Sequence, residues 1–140
     1  MKNLLRLEEA AQFLVCLAIL IGFNVDWWVY LLLLLGPDIG MLGYLVNSRV
    51  GAVTYNLLHH KGIALLVVLM GFFLIPYAMT DTAEGVAETL RIAGIILYGH
   101  ASMDRIFGYG LKFGDNFHHT HLGWIGKGKA PSPEVGKTSA

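Results

Sequence analysis

The stretch Ile63-Ala-Leu-Leu-Val-Val-Leu-Met-Gly-Phe-Phe-Leu-Ile-Pro-Tyr-Ala-Met79 decides the fold class, because it contains no charged residue. A helix needs about 17 to 25 predominantly apolar residues to cross the hydrocarbon core of a bilayer. The length and composition of this stretch therefore predict a transmembrane helix. Pro76 is expected to kink the end of that helix, since proline lacks a backbone N–H and clashes with the preceding turn.

The composition of the whole chain agrees with a membrane protein. Of its 140 residues, 55% are hydrophobic and 14% are charged, whereas about 25% of the residues in an ordinary soluble domain are charged. Ten basic residues balance ten acidic ones, so we predict no nucleic-acid partner. Cys16 is the single cysteine and lies in an apolar run, which excludes a disulfide within the chain.

Two further spans are predicted on the N-terminal side. The first, from about Leu4 to Phe23, is expected to be retained, because no small-residue cleavage site follows its apolar part. The second starts at the aromatic cluster around Trp27 and includes Leu31–Leu35. The glycine and proline that follow should break it, which makes Met41–Val46 a half-span or an interfacial passage.

The remaining segments complete an all-α, polytopic membrane helical bundle with about four transmembrane helices plus an amphipathic or half-spanning segment. Arg49 to His60 has the pattern of an amphipathic helix. A short acidic loop at Asp81–Gly85 is expected to precede the last long helix, from Val86 to about Tyr109, with Gly110 as its C-cap. Residues 1–126 would form the membrane domain and residues 127–140 a disordered polar tail.

The distribution of basic residues predicts the orientation. With four spans and a cytoplasmic N-terminus, nine of the ten fall on the cytoplasmic side and only Arg91 lies near the outer side. We therefore predict a multi-pass protein of the bacterial inner membrane with both termini in the cytoplasm. The nine are Lys2, Arg6, Arg49, Lys61, Arg105, Lys112, Lys127, Lys129 and Lys137.

His100 and Asp104 form the strongest local pattern, since residues four apart on a helix direct their side chains the same way. Such a pair can ligate a metal in a helical bundle. Alternatively, His100 forms a hydrogen bond to its own i+4 carboxylate and fixes the helix end. Arg105 could also pair with Asp104, which would weaken the metal interpretation.

The predicted topology brings further donors to the same side of the membrane. Three imidazoles and two carboxylates could share a site there, in which the residues act as metal ligands and catalytic groups. This donor set suits zinc, iron or manganese better than calcium. The ligands are predicted to be Asp38, His59, His100, Asp104 and His121. The predicted substrate-binding residues are Asn56, Arg105, Tyr109 and Lys112.

These residues favour a metal-dependent membrane enzyme, with hydrolysis as the first candidate reaction, acting on a lipid or other amphipathic substrate at the cytoplasmic face. An iron oxidase or desaturase would use the same ligands. A haem protein with two axial histidines is another alternative. Two further alternatives are not enzymes. One is an ion-binding or transport subunit, for which a homodimer is expected, and the other is a purely structural protein.

The motifs also resemble a known family. Four stretches carry the resemblance: Gly36-Pro-Asp-Ile-Gly-Met-Leu-Gly-Tyr44, Tyr55-Asn-Leu-Leu-His59, His100-Ala-Ser-Met-Asp-Arg-Ile-Phe-Gly-Tyr-Gly-Leu-Lys112 and Thr120-His-Leu-Gly123. In these stretches the chain is similar to the small bacterial membrane proteins grouped as domain of unknown function 4260. This resemblance extends to about Gly126 and implies no activity. It favours His121 as the functional member of the His118–His121 run.

A weaker similarity links the chain to inner-membrane metal-dependent hydrolases. Pro37-Asp38, His59 and the pattern from Gly99 to Asp104 occur in the same order as in those proteins. However, Ser102 follows the histidine, and the stretch His-Arg-Gly-x-Thr-His is missing.

Overall fold

The computed structural model describes residues 1–74 and 80–126. This part of the chain is mostly helical and contains five α-helices, one 3-10 helix and a short β-hairpin. The α-helices are α1 (Lys2–Gly22), α2 (Trp27–Leu35), α3 (Ser48–His59), α4 (Lys61–Leu74) and α5 (Asp81–Phe107), and the 3-10 helix is Gly36–Leu45. The hairpin pairs β1 (His119–Thr120) with β2 (Gly123–Trp124).

Helix α5 is the central element, because it contacts each of the other four α-helices. Its residues Ile95 and Ile96 pack with Cys16 and Leu20 of α1 and with Leu33 of α2 to form the buried apolar core. Helix α3 packs mainly against the 3-10 helix. This arrangement brings the 3-10 helix, α3 and the C-terminal half of α5 together.

Two glycines allow α4 and α5 to approach closely. A Cβ atom on Gly94 would lie 2.7 Å from the carbonyl oxygen of Ala64, and one on Gly71 would lie 2.6 Å from that of Ala87. Real Cβ atoms do not come so near to backbone oxygens. Small residues at helix interfaces are a common device for packing helices in membranes.

A polar network also joins three helices. Lys61 of α4 donates hydrogen bonds to Glu9 and Gln12 of α1, and the hydroxyl of Tyr98 on α5 donates to Gln12 at 2.9 Å. The ammonium group of Lys61 also lies over the ring of Tyr98. The charge of Lys61 is thus balanced by the carboxylate of Glu9 between α4 and α1.

The structure supports a membrane helix. The continuous helical stretch Trp27–Leu45 is long and apolar enough to cross a bilayer, and α3 and α4 together pass the same test with a bend of 46° between them. Large apolar side chains cover much of the outer surface, including Leu14, Leu66 and Phe73, which are 60%, 61% and 71% exposed. An apolar exterior suits contact with lipid. The expected number of four spans stays a prediction.

Several local expectations were wrong. The acidic loop is the first turn of α5, because the side chain of Thr80 caps the helix by accepting from the backbone N–H of Ala83. Asp81 and Glu84 then lie where negative charge stabilises a helix N-terminus. The C-cap is Gly108, which adopts a left-handed φ of 90°; Gly110 lies beyond it.

Two further differences concern the half-span and the C-terminal part. The Gly36-Pro37 pair does not end the helical path but converts it from α to 3-10 geometry, with proline in the first turn where its missing N–H costs little. The β-hairpin makes the described chain helical but not purely α. The kink at Pro76 and the tail 127–140 lie outside the described residues.

Candidate metal centre

Four of the predicted ligands converge in what we call the His-Asp cluster: Asp38, His59, His100 and Asp104. His59 Nε2 lies 3.6 Å from Asp38 Oδ1 and 3.4 Å from Asp104 Oδ2. His100 Nε2 lies 3.4 Å from Asp38 Oδ1 and 3.8 Å from Asp104 Oδ1. One donor atom from each residue falls within 4.8 Å of all the others.

Three helical elements position these side chains. Asp38 is in the first turn of the 3-10 helix. His59 is the last residue of α3, where the chain bends into α4. His100 and Asp104 lie one turn apart on α5, as their spacing predicts. The change from α to 3-10 geometry after α2 and the bend after α3 therefore direct one donor each toward α5.

Both imidazoles are oriented by backbone carbonyls. The Nδ1 atom of His59 lies 2.8 Å from the carbonyl oxygen of Tyr55, and that of His100 lies 3.0 Å from the carbonyl oxygen of Leu33. A carbonyl can only accept, so each Nδ1 carries the proton and donates it. The lone pair is then on Nε2, which faces the carboxylates, as in metal-ligating histidines.

The two Nε2 atoms are buried and have no hydrogen-bond partner in the described part of the chain. Burying such an acceptor without a partner costs about 1 to 3 kcal/mol. The side chains of His59 and His100 are 3% and 0% exposed, whereas those of Asp104 and Asp38 are 15% and 38% exposed. The cluster is therefore closed on its histidine side and open to its surroundings at Asp38.

The spacing of the donors fits a transition metal. The four nitrogen–oxygen separations between the histidines and the acids are 3.4 to 3.8 Å, which leaves space for a cation between the side chains. Two imidazoles and two carboxylates are donors that zinc, iron and manganese accept. The two carboxylate charges would also balance a divalent cation in an apolar environment.

Tyr55 contacts two residues of the His-Asp cluster, Asp104 and His59. The sequence did not single it out as a site residue. Its hydroxyl donates to Asp104 Oδ2 at 2.5 Å, its carbonyl orients His59, and its ring stacks on His59 with centroids 3.7 Å apart. The i,i+4 spacing of Tyr55 and His59 on an amphipathic helix was the available signal. The contribution of Leu33, which is a backbone carbonyl, left no signal in the sequence.

The alternative of a purely local His100–Asp104 hydrogen bond does not describe the geometry. Their closest nitrogen–oxygen separation is 3.8 Å, which is too long for a hydrogen bond. Arg105 does not neutralise Asp104 through a hydrogen bond either: its guanidinium donates to the carbonyl oxygens of Ala101 and His59. The structure therefore has neither a His100–Asp104 hydrogen bond nor a hydrogen bond between Arg105 and Asp104.

The predicted substrate-binding residues have different surroundings. The Asn56 side chain is bonded at both ends to the backbone of Lys112, accepting at 2.7 Å and donating at 2.8 Å. Lys112 is 3% exposed and its ammonium group lies over the rings of Tyr55 and Phe117; burial lowers its pKa. These two residues hold the segment after α5 against α3. Tyr109 is 40% exposed and lines a narrow crevice beside the cluster.

The fifth predicted ligand, His121, is not part of the cluster. Its Nδ1 accepts a hydrogen bond at 2.8 Å from the backbone N–H of Leu111, and its own N–H donates to the carbonyl of Leu111. Burial lowers its pKa. Of its neighbours in the run, His119 donates to Asp115 at 2.7 Å and this hydrogen bond lowers the pKa of Asp115.

A family model described as domain of unknown function 4260 (DUF4260) matches residues 2–125. The chain belongs to this family. The match confirms the resemblance that the motifs indicated, and the DUF4260 domain includes every residue of the His-Asp cluster. No curated protein and no solved structure matches the chain.

Proposed function

We propose that this DUF4260 protein is a membrane protein that binds one divalent transition metal through Asp38, His59, His100 and Asp104. The observation that carries the proposal is the convergence of four donor atoms, two of which are buried Nε2 atoms that find no hydrogen-bond partner among residues 1–74 and 80–126. Buried polar atoms in proteins are rarely left without a partner. A metal would satisfy both nitrogens at once.

Ion pairing between the histidines and the acids explains the geometry less well. A protonated imidazole would approach a carboxylate to about 2.7 to 2.9 Å, whereas the four nitrogen–oxygen separations are 3.4 to 3.8 Å. Each imidazole already uses its Nδ1 proton on a carbonyl. The spacing thus leaves room for an ion between the donors and not for direct hydrogen bonds.

The reaction that this centre supports best is hydrolysis of a lipid or other amphipathic substrate. A bound divalent metal lowers the pKa of a coordinated water and polarises an acyl or phosphoryl oxygen. The side chain of Asp38 is 38% exposed and that of Asp104 is 15% exposed, so a substrate can reach Asp38 more easily. Its Oδ1 faces both Nε2 atoms and would hold the metal, which leaves Oδ2 to accept a proton. Nearby Ile39 and Leu42 are 64% and 59% exposed, which suits an apolar substrate.

A haem is not compatible with the pair of histidines. Their Nε2 atoms face the same oxygen of Asp38, and the centroids of the rings of His59 and His100 are 4.9 Å apart. That separation leaves no space for a porphyrin between two axial imidazoles.

A chelator experiment tests the proposed reaction. Protein purified in mild detergent is treated with a chelator, reloaded with zinc, iron(II) or manganese, and assayed for release of product from phospholipids in mixed micelles. We expect cleavage that the chelator abolishes and one metal restores. Asp38→Asn should reduce the rate by about 100-fold or more, whereas Asp26→Asn, at the predicted outer end of α2, should not. Cleavage that ignores the chelator, or equal loss in both variants, would refute a metal-dependent hydrolase.

A further inference from the structure

A cavity of about 560 Å³ lies between the beginning of α1, the end of α5 and the β-hairpin. None of the His-Asp cluster residues lines it, so any ligand of this cavity is separate from the proposed metal. We call it the basic cavity, because the cationic residues that line it are Lys2, Arg6 and Arg105.

The charges around the basic cavity favour an anion. Of the described residues that line it, Glu9 is the one acid, and its carboxylate already pairs with Lys61. The guanidinium group of Arg105 donates hydrogen bonds to two backbone carbonyl oxygens. Among the ion pairs of residues 1–74 and 80–126, none involves Lys2 or Arg6. Two cationic side chains at the cavity are thus available to a ligand.

The position of Arg6 is defined by the end of α5. One guanidinium nitrogen of Arg6 lies 3.9 Å from the point that a Cβ atom on Gly108 would occupy. Gly108 has a left-handed φ of 90° and caps the helix, so this corner has no side chain of its own. An arginine with this placement can present several N–H groups to one phosphate.

The other side of the basic cavity is apolar. Leu5, Phe107 and Trp124 line it, and Leu5 and Phe107 are 52% and 68% exposed. The predicted orientation places this region at the cytoplasmic interface, where aromatic residues and cations commonly meet lipid. Apolar and cationic walls together match the two ends of an amphiphile.

We propose that the basic cavity binds the phosphate-bearing headgroup of an anionic lipid. Arg6 and Lys2 would contact the phosphate, and Arg105 would add a third positive charge to the wall of the cavity. Phe107 and Trp124 would contact the glycerol and the first acyl carbons. Free phosphate shares the anionic chemistry but makes no use of the apolar wall. The lipid is therefore the occupant that uses both walls.

Lipid retention by the full-length protein tests this proposal. The protein is reconstituted in nanodiscs with either phosphatidylglycerol or zwitterionic phosphatidylcholine, extracted into mild detergent, and analysed by native mass spectrometry. We expect phosphatidylglycerol to be retained and phosphatidylcholine not. Arg6→Gln should weaken retention about five-fold, and Lys2→Gln with Arg6→Gln about 25-fold, as expected for loss of one and two cations near an anionic lipid.

Arg49→Gln is the matched control, since Arg49 is an exposed cation on the same predicted side but does not line the basic cavity. It should retain lipid as the parent protein does. Equal losses in Arg6→Gln and Arg49→Gln would overturn the proposal, because they would show a general effect of surface charge. Binding of inorganic phosphate without retention of phosphatidylglycerol would also overturn it. Metal content is measured in parallel, and the headgroup site predicts no change in Arg6→Gln.

Discussion

Asp38 Oδ1 lies 3.4 Å from Nε2 of His100, although Asp38 belongs to the 3-10 helix and His100 to α5. Asp38 lies in the first turn of the 3-10 helix, directly after Pro37. His59 approaches the same oxygen from α3. The His-Asp cluster therefore depends on three elements that are distant in sequence, and its occupancy should report on both the ligands and the groups that hold them.

Tyr55→Phe should weaken metal binding without unfolding the protein. The substitution removes the hydroxyl that donates to Asp104 at 2.5 Å but keeps the ring that stacks on His59. Loss of a hydrogen bond to a metal-ligating carboxylate typically lowers metal affinity about 10- to 100-fold. Competition with a chromogenic chelator measures the change.

Tyr98→Phe serves as the control for that experiment, since its hydroxyl donates to Gln12 and not to the cluster. It should leave metal affinity unchanged. If the two tyrosine variants bind metal equally well, Tyr55 has no role in holding Asp104 as a ligand.

The sequence predicted the helical class, the approximate bounds of α1 and α3, the start of α2 and the family. It also selected four residues that the structure brings together, because ionisable side chains in an apolar chain are costly and therefore conspicuous. The i,i+4 spacing fixed the relation of His100 to Asp104 directly. The meeting of Asp38 and His59 with α5 could only be predicted as a shared membrane side, since their separation depends on the 3-10 segment and on the bend after α3.

Other features could not be obtained from the sequence for specific physical reasons. Asp81 and Glu84 suggested a loop by their charge, but the same charges stabilise a helix start once Thr80 caps it. The hairpin at His119–Trp124 has strands of two residues, which is too short for an alternating pattern. Asn56 has the polarity of a substrate-binding residue, yet its side chain forms hydrogen bonds with the backbone N–H and carbonyl of Lys112.

Gly94→Ala should destabilise the packing of α4 against α5. The added methyl group would meet the carbonyl oxygen of Ala64 at 2.7 Å, and overpacking of this kind typically costs about 1 to 3 kcal/mol. Gly85→Ala is the matched control on the same helix, because a Cβ there would have no atom of residues 1–74 or 80–126 within 4 Å. It should stabilise α5 by up to about 1 kcal/mol through helix propensity. Thermal unfolding in detergent compares them, and equal shifts in the two variants would contradict the close approach of α4 and α5.

His121 should make stability depend on pH in the acidic range. Burial lowers its pKa below the ordinary value of 6.5, so the unfolded chain binds this proton more readily than the folded one. The stabilisation of the folded protein that comes from neutral His121 is complete above about pH 6.5 and is lost as the pH falls below that value. Protonation at Nδ1 would also remove the acceptor of the Leu111 N–H.

The difference in thermal midpoint between the parent protein and His121→Asn, measured from pH 8 to pH 5, isolates this effect. Asparagine can keep an acceptor near Nδ1 but does not titrate. We expect the parent to lose stability relative to the variant as the pH falls. A difference that is constant with pH would show that His121 is not held in its neutral form.

Cysteine labelling tests the predicted orientation. Cys16 is buried and is replaced by alanine, and single cysteines are then placed at Asn3, Asp26 or Asn116. A membrane-impermeant maleimide should label the cysteines at positions 3 and 116 from the same side of the membrane and that at position 26 from the opposite side. Labelling of positions 3 and 26 from one side would contradict the four-span arrangement.

We propose that the four side chains of the His-Asp cluster hold one metal ion. Elemental analysis of protein purified after growth with zinc, iron and manganese tests it most directly. Asp104→Asn keeps the size of the side chain while removing its charge, and His100→Ala removes a nitrogen ligand. Ser102→Ala is the control, because Ser102 is equally buried on α5 but lies outside the cluster.

Thermal unfolding and helix content establish that each variant compared is folded. We predict one equivalent of a transition metal in the parent protein and in Ser102→Ala, and loss of most of it in Asp104→Asn and His100→Ala. A folded parent protein without stoichiometric metal, or the same metal content in all four proteins, would show that the His-Asp cluster does not hold a metal ion.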